Sequence, residues 1–241
     1  IKNYVEEIKE EEIFVLIDRF GYTKSVDSAS YSRIAPETLQ EFSHIVPLKN
    51  TDKLCVFTSA GNMYQIKAMN IPKGRMKDKG VLIQNLCKID KEDALLYISF
   101  ESLFDSQLLF VTGKGFVKLV SGVEFETIRS QISATKLDAD DTVVCVSQVT
   151  IEDAISADRK VILITEKGLS LGFPLIEVNE FKKTSRGVKG ISLTADDRVQ
   201  YAGFVTPDME SVLFDGQQFN PKKIRSRKRA DKGQKAQITL K

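Results

Sequence analysis

Five times along the chain a short apolar run stops at a turn that ends in glycine, and a second short run follows. The five are Val15-Leu16-Ile17 before Asp18-Arg19-Phe20-Gly21, Val56-Phe57 before Thr58-Ser59-Ala60-Gly61, Phe110-Val111 before Thr112-Gly113-Lys114-Gly115, Ile162-Leu163-Ile164 before Thr165-Glu166-Lys167-Gly168, and Val212-Leu213-Phe214 before Asp215-Gly216. Glycine reaches positive φ without a Cβ clash, so each turn predicts a tight antiparallel hairpin, with Asp215-Gly216 the strongest short signal. Runs this short, rich in Val, Ile, Leu and Phe, favour strands over helices. The glycines lie 40, 54, 53 and 48 residues apart. A near-constant period of that size marks one small unit copied several times.

Beyond each hairpin the polar pattern also repeats. A basic loop reads Arg75-Met76-Lys77-Asp78-Lys79-Gly80, Ser185-Arg186-Gly187-Val188-Lys189-Gly190 and Arg229-Ala230-Asp231-Lys232-Gly233. The third copy holds Ile128-Arg129-Ser130-Gln131 there, without glycine, and the first copy (residues 29–48) has no glycine at all. Alternation then predicts a strand over Val81–Leu86, Ser133–Leu137, Gly190–Leu193 and Ala236–Leu240. Acidic turns follow at Asp90-Lys91-Glu92-Asp93, Asp138-Ala139-Asp140-Asp141 and Thr194-Ala195-Asp196-Asp197, and Ala94–Phe100, Thr142–Val149 and Val199–Val205 predict a closing strand. The unit is therefore about four strands, and the expected fold is all-β and propeller-like, with about five four-stranded blades. A ring of blades also leaves few bare strand edges. A β-sandwich with look-alike hairpins gives no reason for a basic loop to recur at one phase. The fifth copy lacks its acidic turn and closing strand, which leaves the ring open or the chain short.

Residues 1–12 carry five glutamates against two lysines, with apolar residues at helical spacing. They are expected to be a linker or helix end arriving from an upstream region, with residues 13–241 forming the repeat domain. Cys55, Cys87 and Cys145 are odd in number and not closely paired, so no disulfide scaffold is implied and a reducing compartment fits, with Cys55 and Cys145 expected as small apolar side chains within strands. No leader and no membrane-length apolar run is present, so a cytoplasmic location is expected.

Overall charge is +2, unevenly placed: residues 221–241 hold nine Lys or Arg against one Asp, a net +8, leaving the preceding 220 residues at −6. Lys73–Lys79 and Lys182–Lys189 each add four positive charges, and both fall on the repeated basic loop. Loops of equal phase in a ring align into a track, with the acids gathered at the opposite turn. A spaced cationic track is the footprint of a phosphate backbone.

Catalytic chemistry is not indicated. His44 is the only histidine, so Ser-His-Asp and Cys-His arrangements would all depend on it. No Cys or His spacing suits a metal. Gly113-Lys114-Gly115 and Gly187-Val188-Lys189-Gly190 fall short of a P-loop. Asp138-Ala139-Asp140-Asp141 lacks the glycine and final glutamate of an EF-hand, and the carboxylates in general are expected in solvent-facing turns.

Ile71-Pro72-Lys73-Gly74-Arg75-Met76-Lys77-Asp78-Lys79-Gly80, continuing through Asn85-Leu86 to Asp93, resembles the second blade of the C-terminal domain of bacterial type IIA topoisomerase A subunits. Ser185-Arg186-Gly187-Val188-Lys189-Gly190-Ile191-Ser192-Leu193, followed by Asp196-Asp197-Arg198-Val199, resembles a later blade, and the likeness spans residues 11–235. It implies a β-pinwheel whose neighbouring blades exchange a strand and whose basic outer rim bends DNA. The gyrase branch carries a Gln-Arg-Arg-Gly-Gly-Lys-Gly type of box in the first outer loop. Residues 30–41 hold one basic residue and no glycine, which points toward the topoisomerase IV branch. The family's catalytic tyrosine lies in another domain and follows an arginine, whereas no tyrosine here does.

The expected role is therefore a non-catalytic DNA-binding and DNA-bending module. From the phased charges, the expected phosphate contacts are Lys73, Arg75, Lys77 and Lys79; Lys182, Lys183, Arg186 and Lys189; Lys222, Lys223, Arg225, Arg227, Lys228, Arg229 and Lys232; and, more weakly, Arg129. The partners that the likeness implies are double-stranded DNA, bound largely without regard to sequence, the catalytic core of the same polypeptide, and the ATPase subunit. It implies no membrane, no metal and no cofactor in this domain. The alternative is a protein-interaction propeller whose charged loops meet an acidic protein.

Overall fold

Each glycine-ended turn joins two antiparallel strands in the computed structural model, which describes residues 7–214 and 216–235. In four of the five turns the residue three places before the glycine explains the recurring sequence. The hydroxyls of Thr58, Thr112 and Thr165 accept from the backbone N–H groups of Asn62, Phe116 and Leu169 at 3.3, 3.2 and 3.1 Å, and the Asp18 carboxylate accepts from Tyr22 at 3.0 Å. All five turn glycines sit at φ between +73° and +86°.

The first unit supplies β1 (Glu12–Asp18), β2 (Tyr22–Asp27), two short helices, α1 (Ser28–Tyr31) and α2 (Pro36–Leu39), and β3 (Phe42–Lys49). The second supplies β4 (Lys53–Thr58), β5 (Asn62–Lys67), β6 (Val81–Leu82), the helical turn α3 (Ile83–Leu86) and β7 (Ala94–Ser99). Next come β8 (Ser106–Thr112), β9 (Phe116–Ser121), β10 (Gln131–Ser133) and β11 (Val143–Thr150), then β12 (Lys160–Thr165), β13 (Leu169–Pro174), β14 (Val188–Lys189) and β15 (Val199–Val205). The fifth unit adds β16 (Val212–Phe214), β17 (Gln217–Phe219) and β18 (Gln234–Lys235).

In the second to fifth units the third strand does not stay with its own hairpin. It pairs with the preceding one: β6 on β2 (Thr23↔Val81), β10 on β5 (Met63↔Ile132), β14 on β9 (Val117↔Val188) and β18 on β13 (Ser170↔Gln234). Four sheets result, ordered β3-β1-β2-β6, β10-β5-β4-β7, β11-β8-β9-β14 and β15-β12-β13-β18, followed by the two-stranded β16-β17. This is the strand-exchanged, open, all-β pinwheel. The exchanged strands are shorter than alternation predicts and, in two units, earlier: the strand expected over Ser133–Leu137 is formed by Gln131–Ser133, and the one expected over Gly190–Leu193 by Val188–Lys189. After two or three pairs the chain turns inward to bury Ile83, Ala134 and Ile191, so α3 replaces the end of the strand expected over Val81–Leu86. Residues 236–241, and with them the strand expected over Ala236–Leu240, lie outside the described residues, as does Asp215 of the fifth turn.

β3, β7, β11 and β15 touch one another in succession and form the hub, so the exchanged strands lie at the rim. Apolar cores fill the spaces between neighbouring sheets. Leu54 and Val56 of β4 face the first sheet, while Cys55 and Phe57 face the third. β8 and β12 are likewise buried on both faces, which is why their sequences are continuous apolar runs rather than alternating ones. Burial pushes the thiols of Cys55 and Cys145 up to about 12 and about 11.

Of the stretch expected as a linker or helix end, residues 1–6 lie outside the described residues. Glu7 to Glu11 carry no helix and Glu12 opens β1. Glu11 is tied to the end of β3 instead, since its N–H donates to the Asn50 side chain and its carbonyl accepts from Asn50 N–H, both at 2.9 Å.

Candidate nucleic-acid interface

Strand exchange forces a segment of each unit after the first to cross to the outer edge of the preceding sheet, and three of these four crossings are the basic loops. Those of the second, fourth and fifth units enter identically, through parallel bridges Ser25↔Lys73, Leu119↔Glu180 and Gly172↔Ser226. A local period in sequence thus becomes a common phase in space.

In the second crossing Lys73, Arg75, Lys77 and Lys79 are all exposed. The Asp78 carboxylate caps Arg75 N–H at 2.7 Å, and Lys79 Nζ stands 4.0 Å over the Tyr22 ring. In the fourth, Lys189 is exposed, but its neighbours are engaged. Lys182 Nζ pairs with Glu124 Oε1 at 2.8 Å, which holds the Glu124 carboxyl below its ordinary range, and Lys183 Nζ donates to the Glu124 carbonyl at 3.0 Å. Arg186 pairs with Asp138 at 2.7 Å and stacks 4.3 Å over Phe116. The fifth crossing exposes Lys222, Lys223, Arg225, Arg227, Lys228 and Lys232. Arg227 pairs with Asp231 at 3.3 Å, and Arg229 is half-buried, donating to the carbonyls of Glu177 and Lys189 at 3.0 and 2.6 Å. The third crossing offers exposed Arg129 beside Ile128, which is 98% exposed.

The structure departs from the sequence-based expectation in two places. Positive and negative tracks are not fully separate, because Asp138 of one acidic turn reaches Arg186 of the next crossing. Nor do all the acidic turns face solvent: Asp141 and Asp197 are 8% and 4% exposed and serve as backbone caps. Their carboxylates reach back to the hairpin turns at Lys114 N–H (2.9 Å) and Lys167 N–H (3.1 Å). A residue missed in the sequence is Lys136. It is exposed just past β10 and lines a cleft of about 500 Å³ with Arg129 and Lys183, from successive crossings. Lys223, Arg225 and Arg227 line a second cleft of about 520 Å³ with Gln217 and Gln218. His44, on β3, packs 4.7 Å from the Tyr97 ring, and burial holds its imidazole below the usual value.

The family described as DNA gyrase C-terminal domain, beta-propeller, matches residues 52–99, 106–149 and 159–206, which are the second, third and fourth units. The chain belongs to this family. Relatives carry names from both branches of the type IIA A subunits. The A subunit of DNA topoisomerase 4 from Streptococcus pyogenes is 33% identical over 218 residues, 86% of this chain and 26% of the relative. The A subunit of DNA gyrase from Kosmotoga olearia is 28% identical over 226 residues, 88% of this chain and 27% of the relative. The chain therefore spans about a quarter of the length of these relatives. The fold matches the solved C-terminal domain of DNA topoisomerase IV with a TM-score of 0.77 at 24% identity, covering 94% of this chain and 73% of that one. It also matches a DNA gyrase A C-terminal domain at TM-score 0.59 and 22% identity, covering 93% and 76%. No helix among the described residues is long and apolar enough to cross a membrane.

Proposed function

We propose that this pinwheel binds and bends duplex DNA on its outer rim, as an accessory domain of a bacterial type II topoisomerase A subunit, and presents the duplex for strand passage. One observation carries the reading. Crossings at one phase expose Lys73, Arg75, Lys77, Lys189, Lys222, Lys223, Arg225, Lys228 and Lys232, with no carboxylate partner among the described residues. Side chains of this kind contact phosphates and position a duplex without reading its bases. Arg129 and Lys136 extend the rim where the track is thinnest. DNA cleavage, the catalytic tyrosine and the ATPase subunit belong to other parts of the holoenzyme, reached through residues ahead of Glu12, in the cytoplasm. The first outer loop, occupied by α1 and α2 with Arg33 as the basic residue of residues 30–41, supports a place nearer topoisomerase IV than gyrase. A minicircle topology assay checks that placement, since gyrase-like wrapping of fixed hand would overturn it.

Duplex titration between about 50 and 200 mM salt tests the main reading, with a loss of about 10³-fold or more expected for six or more phosphate contacts. Affinity unchanged across that range removes the mechanism. A duplex left unshifted even at low salt favours an acidic protein partner instead.

A further inference from the structure

Three lysines of the sheets turn away from solvent, toward the crossing of the following unit. Lys24 in β2 and Lys118 in β9 are 3% and 1% exposed. Lys24 Nζ donates to the carbonyls of Arg75, Met76 and Asp78 at 3.1, 2.9 and 2.7 Å. Lys118 Nζ donates to those of Lys182, Lys183 and Ser185 at 3.4, 3.0 and 2.6 Å. Lys160 in β12 repeats the device with Pro221 and Ile224 at 3.2 and 2.7 Å. The second sheet has Tyr64 three places after its turn glycine, where the first and third have Lys24 and Lys118. The Tyr64 hydroxyl goes to Glu92 at 2.6 Å, and the crossing behind it is the one with Arg129 alone. Inward lysines thus accompany the strongly basic crossings.

Charge alone opposes such a placement. A desolvated cation beneath a loop of like charges costs burial energy and repulsion. The compensation lies in the backbone. A curled crossing turns main-chain carbonyls inward with no strand to pair them, and each needs a donor. An ammonium supplies three donors from one point. Glycine closes the loop's end: a Cβ on Gly80 would sit 2.3 Å from the Thr23 carbonyl oxygen, and on Gly187 2.5 Å from that of Val117.

We propose that Lys24, Lys118 and Lys160 are positioning residues for the DNA contact. Each gathers the inner carbonyls of a crossing so that the crossing's own Lys and Arg side chains are held outward on the rim. The proposal rests on the DNA reading above. Burial pushes the Lys118 ammonium down to about 8 against the opposing pull of Glu124. The charged groups around it are Glu124, on the turn Gly122–Phe125, and Lys182, Lys183 and Arg186 on the crossing; β8 presents the uncharged Phe110 ring at 5.4 Å. Above that pH the neutral amine has lost a donor, so one carbonyl is released.

Local hydrogen exchange and duplex titration of K24M and K118M in the 241-residue chain test this. Methionine fills much of the lysine's space without its donors. K24M is expected to speed exchange about tenfold in residues 73–80 while residues 182–187 stay as in wild type, and K118M to do the reverse. Each variant is expected to weaken duplex binding about three- to tenfold at roughly 100 mM salt. Wild-type affinity is expected to fall between pH 7 and pH 9 more than that of K118M does, a difference that a packing role would not produce. Wild-type exchange and affinity in both variants overturn the proposal, as does faster exchange spread evenly over every sheet. Should K118M fail to fold, K24M decides. If wild type binds no duplex, the DNA reading falls, and the exchange pattern alone decides whether the lysines hold the loops.

Discussion

Asp197 and Asp141 show how much of the repeat depends on single buried side chains. One Asp197 oxygen accepts from Lys167 N–H at 3.1 Å and Arg198 N–H at 2.9 Å, joining a hairpin turn to the strand that closes the same sheet. Replacement by alanine orphans both donors, so D197A is expected to lose about 2–3 kcal/mol in urea unfolding, whereas D197N, which keeps an acceptor oxygen, loses less. Equal losses would mean that charge rather than acceptance matters. Lys118 predicts an opposite kind of pH dependence from a paired lysine. Its folded value is about 8 against an ordinary 10.5. Below about pH 8 both states carry the proton and the full cost of burying the charge is present. Between about 8 and 10.5 the folded chain has shed the proton and the unfolded chain has not, so stability rises with pH, by at most about 3 kcal/mol. K118M should lack that rise. Urea midpoints of the two proteins moving in parallel from pH 7 to pH 10 would show that Lys118 does not titrate there.

Among the elements, the exchanged strands test how tightly the crossings are seated. Gly168 and Gly187 both have positive φ, +80° and +89°, but a Cβ on Gly168 meets nothing within 4 Å. G168A should therefore cost about 1–2 kcal/mol of backbone strain. G187A adds a collision with the Val117 carbonyl and should cost about 3 kcal/mol or more, with exchange protection lost first at β14. Comparable losses would show that β14 moves freely on β9. The hairpins were legible in the sequence because each turn ends in a glycine that takes up positive φ; the Thr or Asp three places before it, which caps four of the five turns, came out only in the structure. The destination of the third strand was not, since alternation identifies a strand but not its partner; the exchange was implied by likeness alone. Lys24 and Lys118 were hidden for a related reason. A lysine in an alternating strand reads as solvent-facing, and here the face is roofed by a crossing 51 or more residues later in sequence. The exposed basic residues were legible as a set, but their ion pairs were not, because Asp138 and Glu124 belong to the preceding unit.

For the whole molecule, the shared cores make each sheet depend on its neighbours, and the crossings sew them together along the rim. Sheets linked in this way hold their loops at fixed spacing, which a semi-rigid polyanion can follow. The charge that matters to such a ligand is the charge not already neutralised. Lys189 is exposed and unpaired among the described residues, so K189A should reduce the magnitude of the log–log salt slope by about 0.9 if it contacts one phosphate. Arg186 spends its guanidinium on Asp138 and Phe116, so R186A should reduce the slope by clearly less. Asp138→Ala should then act in the other direction, releasing Arg186 to the duplex and steepening the slope by up to about 0.9. Both effects should be similar on unrelated sequences, because phosphates carry no base identity. A D138A protein with a wild-type slope, alongside an R186A protein that loses as much as K189A, would mean that the ion pair already opens when DNA arrives and that the rim adapts to its ligand.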